Sequence, residues 1–311
     1  MTTLAVDRSI WSRLWVYQRE RFPLAAHGPL ILAFSFCAVS FSARLRLQNW
    51  PEWQSVGVAF VSCLIFFLQL RIADEFKDAK EDARWRPYRA VPRGLVQLKE
   101  LGCLFVIGAL IQLMLALYWS LSLVIILLIT WTYLAAMSVE FGARKWLKMH
   151  PVTYLWSHML IMPLIDLYAT ASDWIVGTTP YPPAGLSFFL AASFFNGIVI
   201  EIGRKIRVPS QEEKGVETYS TLWGCKKAGI VWWFCVVATA ICGCLAAKEA
   251  MAFQVVAPVL ATLTLVLGVF VYVFTRQQRP KQAKMFEISA ALWTLCLYLS
   301  LGILPGVFAN V

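Results

Sequence analysis

Long apolar runs constrain this chain more than any other feature, because a helix needs about 20 such residues to cross a hydrocarbon core of about 30 Å. Lipid offers the backbone no water, so each run must close its own hydrogen bonds as a helix. Nine runs occur, near residues 26–43, 53–72, 97–117, 120–139, 152–173, 184–203, 228–247, 251–273 and 286–308. With 59% apolar residues, 14 Trp and a mean hydropathy of +0.64, the chain carries more apolar surface than a soluble domain of 311 residues can bury. The expected fold is an all-α integral membrane protein with nine transmembrane helices.

Orientation follows from the basic residues, since Lys and Arg are retained on the cytoplasmic side. With the N-terminus inside, the cytoplasmic segments hold 25 of the 28 basic residues, and only Arg44, Arg46 and Lys248 fall on the other side. The expectation is a multi-pass protein with a cytoplasmic N-terminus and its C-terminus opposite, in the plasma or inner membrane if bacterial. The net charge of +10 then reflects topology and attraction to anionic headgroups of the bilayer, and no nucleic-acid partner is expected.

Residues 1–25 form a polar, amphipathic segment with four arginines and no signal-peptide pattern; they are expected to lie along the cytoplasmic face, with the transmembrane domain spanning 26–311. Seven of the eight cysteines fall inside apolar spans, where a small buried hydrophobe is the natural role, and Cys225 sits in a polar loop. The stretch GTTPYPPAG at 177–185 reads as a turn-rich cap between two spans.

Chemistry concentrates in two charged loops. The second span runs into QLRIADEFKDAKEDARWRPYRAVPRG at 69–94. Asp74, Asp78 and Asp82 are spaced by four, so on a continuous helix they drift only about 40° per step and share a face about 6 Å apart. Stacked carboxylates repel, and a divalent cation relieves this: Mg²⁺ takes one or two carboxylates and completes its shell with phosphate oxygens and water. Pro87 and Pro92 restrain the following loop, which presents Arg86, Arg89 and Arg93, and guanidinium groups grip phosphate oxygens in bidentate fashion. Carboxylates, metal and arginines together describe a diphosphate site.

These residues resemble the UbiA-type intramembrane prenyltransferases. That family has nine transmembrane helices, and its second span runs into an Asn-x-x-x-Asp-x-x-x-Asp motif followed by an Arg-Pro-rich loop. The match here is Asp74, Asp78 and Asp82, then Arg89, Ala90, Val91, Pro92, Arg93 and Gly94, with Asp74 in the Asn position. The resemblance implies a UbiA-like bundle, Mg²⁺ held by Asp74, Asp78, Asp82 and an acid of a second motif, and a prenyl diphosphate donor. The family's second motif, Asp-x-x-x-Asp at the end of the sixth span, maps onto NGIVIEIGRKIRVPSQEEKGVETYSTLWG. Glu201 takes the first acidic place, but Lys205 stands four residues later, flanked by Arg204 and Arg207. Three readings stay open: Glu212 or Glu213 folds back to complete a second metal site; Lys205 with Arg204 or Arg207 replaces one metal; or the site no longer turns over.

In EFGARKWLKMHP, Arg144 and Lys145 match the family's basic third cytoplasmic segment and are candidate phosphate contacts. The fifth span carries His158 and Asp166 in HMLIMPLIDLYA, and ionisable groups inside a span are functional candidates by default. Their separation of eight puts them about 12 Å apart along the axis, so they are not a direct pair. His158 is a candidate lining of the acceptor pocket, and Pro163 between them can kink the helix.

The expected activity is prenyl transfer to an undetermined, aromatic or lipophilic acceptor, with Asp74, Asp78, Asp82, Glu201 and Lys205 in the catalytic centre. Arg86, Arg89, Arg93, Arg144, Lys145, Arg204 and His158 are expected to contact substrate. A terpene cyclase of the same type and a non-catalytic membrane protein or transporter are the competing readings. Oligomeric state and acceptor identity are not legible.

Overall fold

The computed structural model describes residues 9–177, 180–213 and 215–308. Arg8 of the N-terminal segment, Thr178 and Thr179 of the proline-rich cap, and Lys214 of the second charged loop lie outside the described residues. Every long element is a helix, and no strand occurs among the described residues.

A short helix α1 (Ile10–Arg21) precedes α2 (Leu24–Leu45), α3 (Trp53–Lys77) and the two-turn α4 (Ala79–Trp85). After a loop follow α5 (Leu98–Trp119), α6 (Leu121–Ser138), α7 (Arg144–Met149), α8 (Pro151–Met159), α9 (Ile161–Trp174) and α10 (Leu186–Gly203). The chain ends with α11 (Tyr219–Trp223), α12 (Cys225–Glu249), α13 (Phe253–Gln277), α14 (Pro280–Gly302) and α15 (Leu304–Val307). Eight described helices are long and apolar enough to cross a membrane: α2, α3, α5, α6, α10, α12, α13 and the α14–α15 pair.

The fifth expected span, 152–173, is not a single helix but is divided into α8 and α9 at Leu160. Pro163 explains the position: it has no N–H for the Met159 carbonyl, and its ring crowds that carbonyl. α8 therefore ends at Met159.

Because successive spans run antiparallel, α3, α6, α10 and α13 finish at one end of the bundle, where α5, α8, α12 and α14 begin. Both charged loops meet at that end. α10 is the most buried of the candidate spans and α13 the least, so α10 forms the inner post on which the second charged loop is mounted. Its last residue, Gly203, is pressed between α12 and α14: an added Cβ would lie 2.9 Å from Ala290 Cβ and 3.0 Å from Trp232 Nε1. Small residues of this kind let helices in lipid approach closely. Trp232 reinforces the contact by donating its indole N–H to the Val199 carbonyl at 2.9 Å.

Polar groups inside the bundle are paired across helices. Tyr298 on α14 donates to the buried Asp166 carboxylate at 2.6 Å, and Gln112 links the Ser62 carbonyl at 3.0 Å to the Trp131 indole at 3.0 Å. At the opposite end, Asp173 accepts from the Ser42 hydroxyl at 2.7 Å and pairs with Arg46 at 3.1 Å. No disulfide forms among the described cysteines; six are buried or half-buried inside helices, Cys103 is exposed on α5, and Cys225 donates to the Arg207 carbonyl at 3.3 Å.

α1 straps the charged end. Its Tyr17 is buried against Ile72, Ala90, Leu95, Val96 and Leu101, which come from α3, the arginine loop and α5. Arg13 forks onto Glu100 at 3.0 and 2.6 Å, Arg21 reaches the buried Glu75 at 2.6 Å, and Glu20 accepts from Arg93 at 2.6 Å. The opposite side of α1 leaves Trp11 and Trp15 exposed.

Candidate functional site

The carboxylates of the first motif do not lie on one uninterrupted helix. α3 ends at Lys77, Asp78 has φ −94° and ψ 1°, and α4 restarts at Ala79. The kink separates the environments of the three acids. The Asp74 side chain stays 43% exposed and faces Lys77 at 3.6 Å. Asp82 turns inward to 2% exposure, where it binds Arg89 at 2.7 Å and Arg86 at 3.3 Å. Asp78 lies between them, half-buried, and makes no ion pair or side-chain hydrogen bond among the described residues. Burial pushes its carboxyl above the usual range, and Asp74, Asp82 and Glu81 push it further, against the opposing charge of Lys77.

The arginines of the loop are thus held rather than loose. Arg86 and Arg89 converge on Asp82, and Arg93 is drawn away to Glu20 and the Tyr88 carbonyl. Glu81 faces the neighbouring segment: Lys148 binds it at 2.8 Å and Arg144 lies at 3.7 Å, with Arg144 also 3.5 Å from the buried Glu140. Lys145 is exposed and unpaired among the described residues.

At the second motif, Glu201 is buried and both of its oxygens are taken. Oε2 accepts from Arg204 at 2.6 Å and Oε1 faces the Lys205 ammonium at 2.8 Å. The later acids do not join it: Glu212 accepts from the Thr218 hydroxyl at 2.7 Å, and Glu213 pairs with Arg207 at 3.0 Å. Lys205 also lies 5.8 Å from the Tyr219 ring centre. The Glu201 carboxylate holds the Arg204 guanidinium above its ordinary range, and the charge of Asp74 adds to this. The two motifs, over a hundred residues apart in sequence, therefore share one electrostatic neighbourhood.

Between them stand residues that sequence reasoning missed. Lys77 donates to the Tyr154 hydroxyl at 3.0 Å, and the Tyr154 ring stacks on His158 at 3.9 Å. His158 in turn lies in the field of Lys77, Asp74 and Glu201. The available signal was the spacing of four between Tyr154 and His158, which puts both rings on one helix face; nothing in sequence tied that face to Lys77.

The donor set can be tested against Mg²⁺. Asp74 and Asp78 offer hard oxygen ligands, and the Asp78 carboxylate, which makes no ion pair among the described residues, is where a cation relieves the repulsion of Asp74, Asp82 and Glu81, so the first motif fits. Among the described residues no three His, Cys, Asp or Glu side chains converge, so the four-carboxylate ligand set expected from the sequence is not assembled. Glu201 does not fit as a ligand in this arrangement, since both oxygens already face cations.

The sequence profile described as the UbiA prenyltransferase family matches residues 31–299. No curated protein matches the sequence. Among solved structures, the chain is similar to one from work on digeranylgeranylglyceryl phosphate synthase in membranes, with a TM-score of 0.63 and 15% identity over 94% of this chain and 98% of that one. It is also similar to the apo structure of a UbiA homolog from Aeropyrum pernix K1, with a TM-score of 0.65 and 13% identity over 86% of this chain and 95% of that one.

Proposed function

Since the chain belongs to the UbiA prenyltransferase family, we propose that it moves an isoprenyl group from a prenyl diphosphate to a lipophilic acceptor, with the diphosphate held at the charged end of the bundle. In this reading that end is cytoplasmic, as the basic residues imply. The observation that carries the reading is Asp78, a half-buried carboxylate with no ion pair or side-chain hydrogen bond among the described residues, set in one neighbourhood with Asp74 and the fixed cations of both loops.

Asp78 and Asp74 would hold Mg²⁺, which supplies Lewis-acid charge to the diphosphate oxygens when bound. Arg204 and Lys205 take the place of a second metal. Glu201 anchors both and leaves their remaining N–H donors to face phosphate, and preset donors of this kind stabilise charge developing on a leaving group. Asp82 does not ligate metal in this scheme; it fixes Arg86 and Arg89, so that two guanidinium groups meet the diphosphate without first being ordered. Lys77 adds a further positive charge beside Asp74. The isoprenyl tail would run into the apolar bundle behind Tyr154 and His158. As the C1–O bond breaks, its electron pair leaves on the diphosphate, and the allylic cation is captured by the acceptor.

The test is incubation of membranes containing the protein with labelled prenyl diphosphates of several lengths, with and without Mg²⁺. Diphosphate release coupled to prenylation of a membrane component is expected, falling about 10²-fold or more in Asp78→Asn. Conversion of the donor alone into a hydrocarbon or terpene alcohol would favour a cyclase. No release with any donor would leave a non-catalytic role.

A further inference from the structure

His158 is more than 90% buried, and its two ring nitrogens are not equivalent. Nδ1 lies 2.8 Å from the Tyr154 carbonyl. A carbonyl only accepts, so Nδ1 carries the proton, and in the neutral ring Nε2 presents a lone pair. Nε2 is buried and has no hydrogen-bond partner among the described residues. The ring cannot easily turn away from this arrangement, because it is stacked on Tyr154 at 3.9 Å and edged by Phe141 at 6.0 Å. Tyr154 is held in turn by Lys77, which faces Asp74 at 3.6 Å. His158 thus stands one aromatic layer from the acidic motif. It lies seven residues beyond Pro151, the first residue of α8, and so about 10 Å deeper along that helix.

An unsatisfied buried acceptor is destabilising, and nothing among the described residues uses this one. We infer that His158 Nε2 is the proton acceptor for the nucleophile that captures the prenyl cation. This rests on the proposed prenyl transfer and adds the class of acceptor: its attacking atom bears a proton that must be lost, as a hydroxyl oxygen or an aromatic ring carbon does. The acceptor's electron pair forms the bond to C1, its proton moves to the Nε2 lone pair, and the C1–O pair has left on the diphosphate. The resulting imidazolium keeps its Nδ1–H on the Tyr154 carbonyl and returns the added proton to the departing diphosphate or to water. Tyr154 and Lys77 act as positioning residues.

The experiment uses the full chain in membranes, with a labelled prenyl diphosphate for transfer into membrane components and a non-ionising prenyl thiolodiphosphate for donor binding. His158→Gln is expected to bind the thiolodiphosphate within about twofold of wild type and to lose transfer about 10²-fold, the scale of a missing general base. His158→Ala is expected to regain about tenfold in transfer when imidazole is added, which a purely structural ring would not allow. Transfer by His158→Gln near the wild-type rate overturns the assignment, as does loss of transfer without imidazole rescue. Donor binding that falls in step with transfer also overturns it, placing His158 in the donor site. Failure of wild type to bind the thiolodiphosphate overturns the proposed function, and this assignment with it.

Discussion

Lys205 sets its ammonium 2.8 Å from Oε1 of Glu201, one helical turn back along the chain. Where the family pattern carries a second acid, this chain carries a cation held by the first acid, with Arg204 on the other oxygen at 2.6 Å. Lys205→Asp should release one oxygen of Glu201 and place a carboxylate beside it. Electron paramagnetic resonance of Mn²⁺, with prenyl thiolodiphosphate present, should then detect one more ion per chain than in wild type. An unchanged ion count would rule out the replacement of a metal by Lys205.

Asp82 holds Arg89 at 2.7 Å and Arg86 at 3.3 Å from a position only 2% exposed. Asp82→Asn keeps the shape and removes the charge, leaving two partly buried guanidinium groups without it. A loss of about 3 kcal/mol is expected, since breaking one side of a buried pair is costly. The KM for the donor should rise about tenfold, the equivalent of about 1.4 kcal/mol. Thermal unfolding in detergent and donor titration measure the two effects separately; lower stability with unchanged KM would mean that the arginines serve the loop alone.

Glu75 is buried under α1, with Arg21 at 2.6 Å and Arg71 at 3.5 Å. Arg21→Ala removes the shorter pair and should cost about 2 kcal/mol, as for a hydrogen bond between charged groups. Hydrogen exchange across residues 10–21 should rise more than exchange in α3. Equal protection in variant and wild type would show that Tyr17 and Arg13 suffice to hold the strap.

The Glu81–Lys148 contact at 2.8 Å ties α4 to α7. The Lys148 hydrogen bond holds the Glu81 carboxyl below the usual glutamate range, and Glu81 holds the Lys148 ammonium above the usual lysine range. The carboxylate's contribution is full above the unfolded glutamate pKa and is lost as pH falls through the lowered folded value. The ammonium's contribution is full below the unfolded lysine pKa and is lost as pH rises through the raised folded value. Exchange protection of residues 144–150 should be flat around neutrality and fall at both the acid and the alkaline ends. A maximum near neutral pH with losses starting at pH 6 would contradict this pairing.

Much of the architecture was legible in the one-dimensional pattern. The long helices between α2 and α14 begin and end within about six residues of the apolar runs, except where Pro163 divides the fifth span, while the short α4, α7 and α11 lie in the charged loops between them. The kink at Asp78 was not legible, because the run of four-residue spacings there looks like uninterrupted helix, and it is this kink that sends Asp82 inward and leaves Asp74 half-exposed. Lys77 and Tyr154 were passed over because each reads alone as an ordinary interfacial residue. Only the packing of α8 against the end of α3 gives them a shared purpose.

The sequence by itself determined the spans, the concentration of charge at one end of the bundle, and the replacement of an acid by Lys205. These are local properties, set by hydrocarbon thickness and helical period. The tertiary structure decided which groups remain free: Asp82 pairs with Arg86 and Arg89, Glu201 with Arg204 and Lys205, Arg93 with Glu20 of the strap, while among the described residues Asp78 makes no ion pair and His158 Nε2 no hydrogen bond. Ion pairs and hydrogen bonds form within about 4 Å, and which groups come that close is fixed by how distant segments pack, not by their order along the chain.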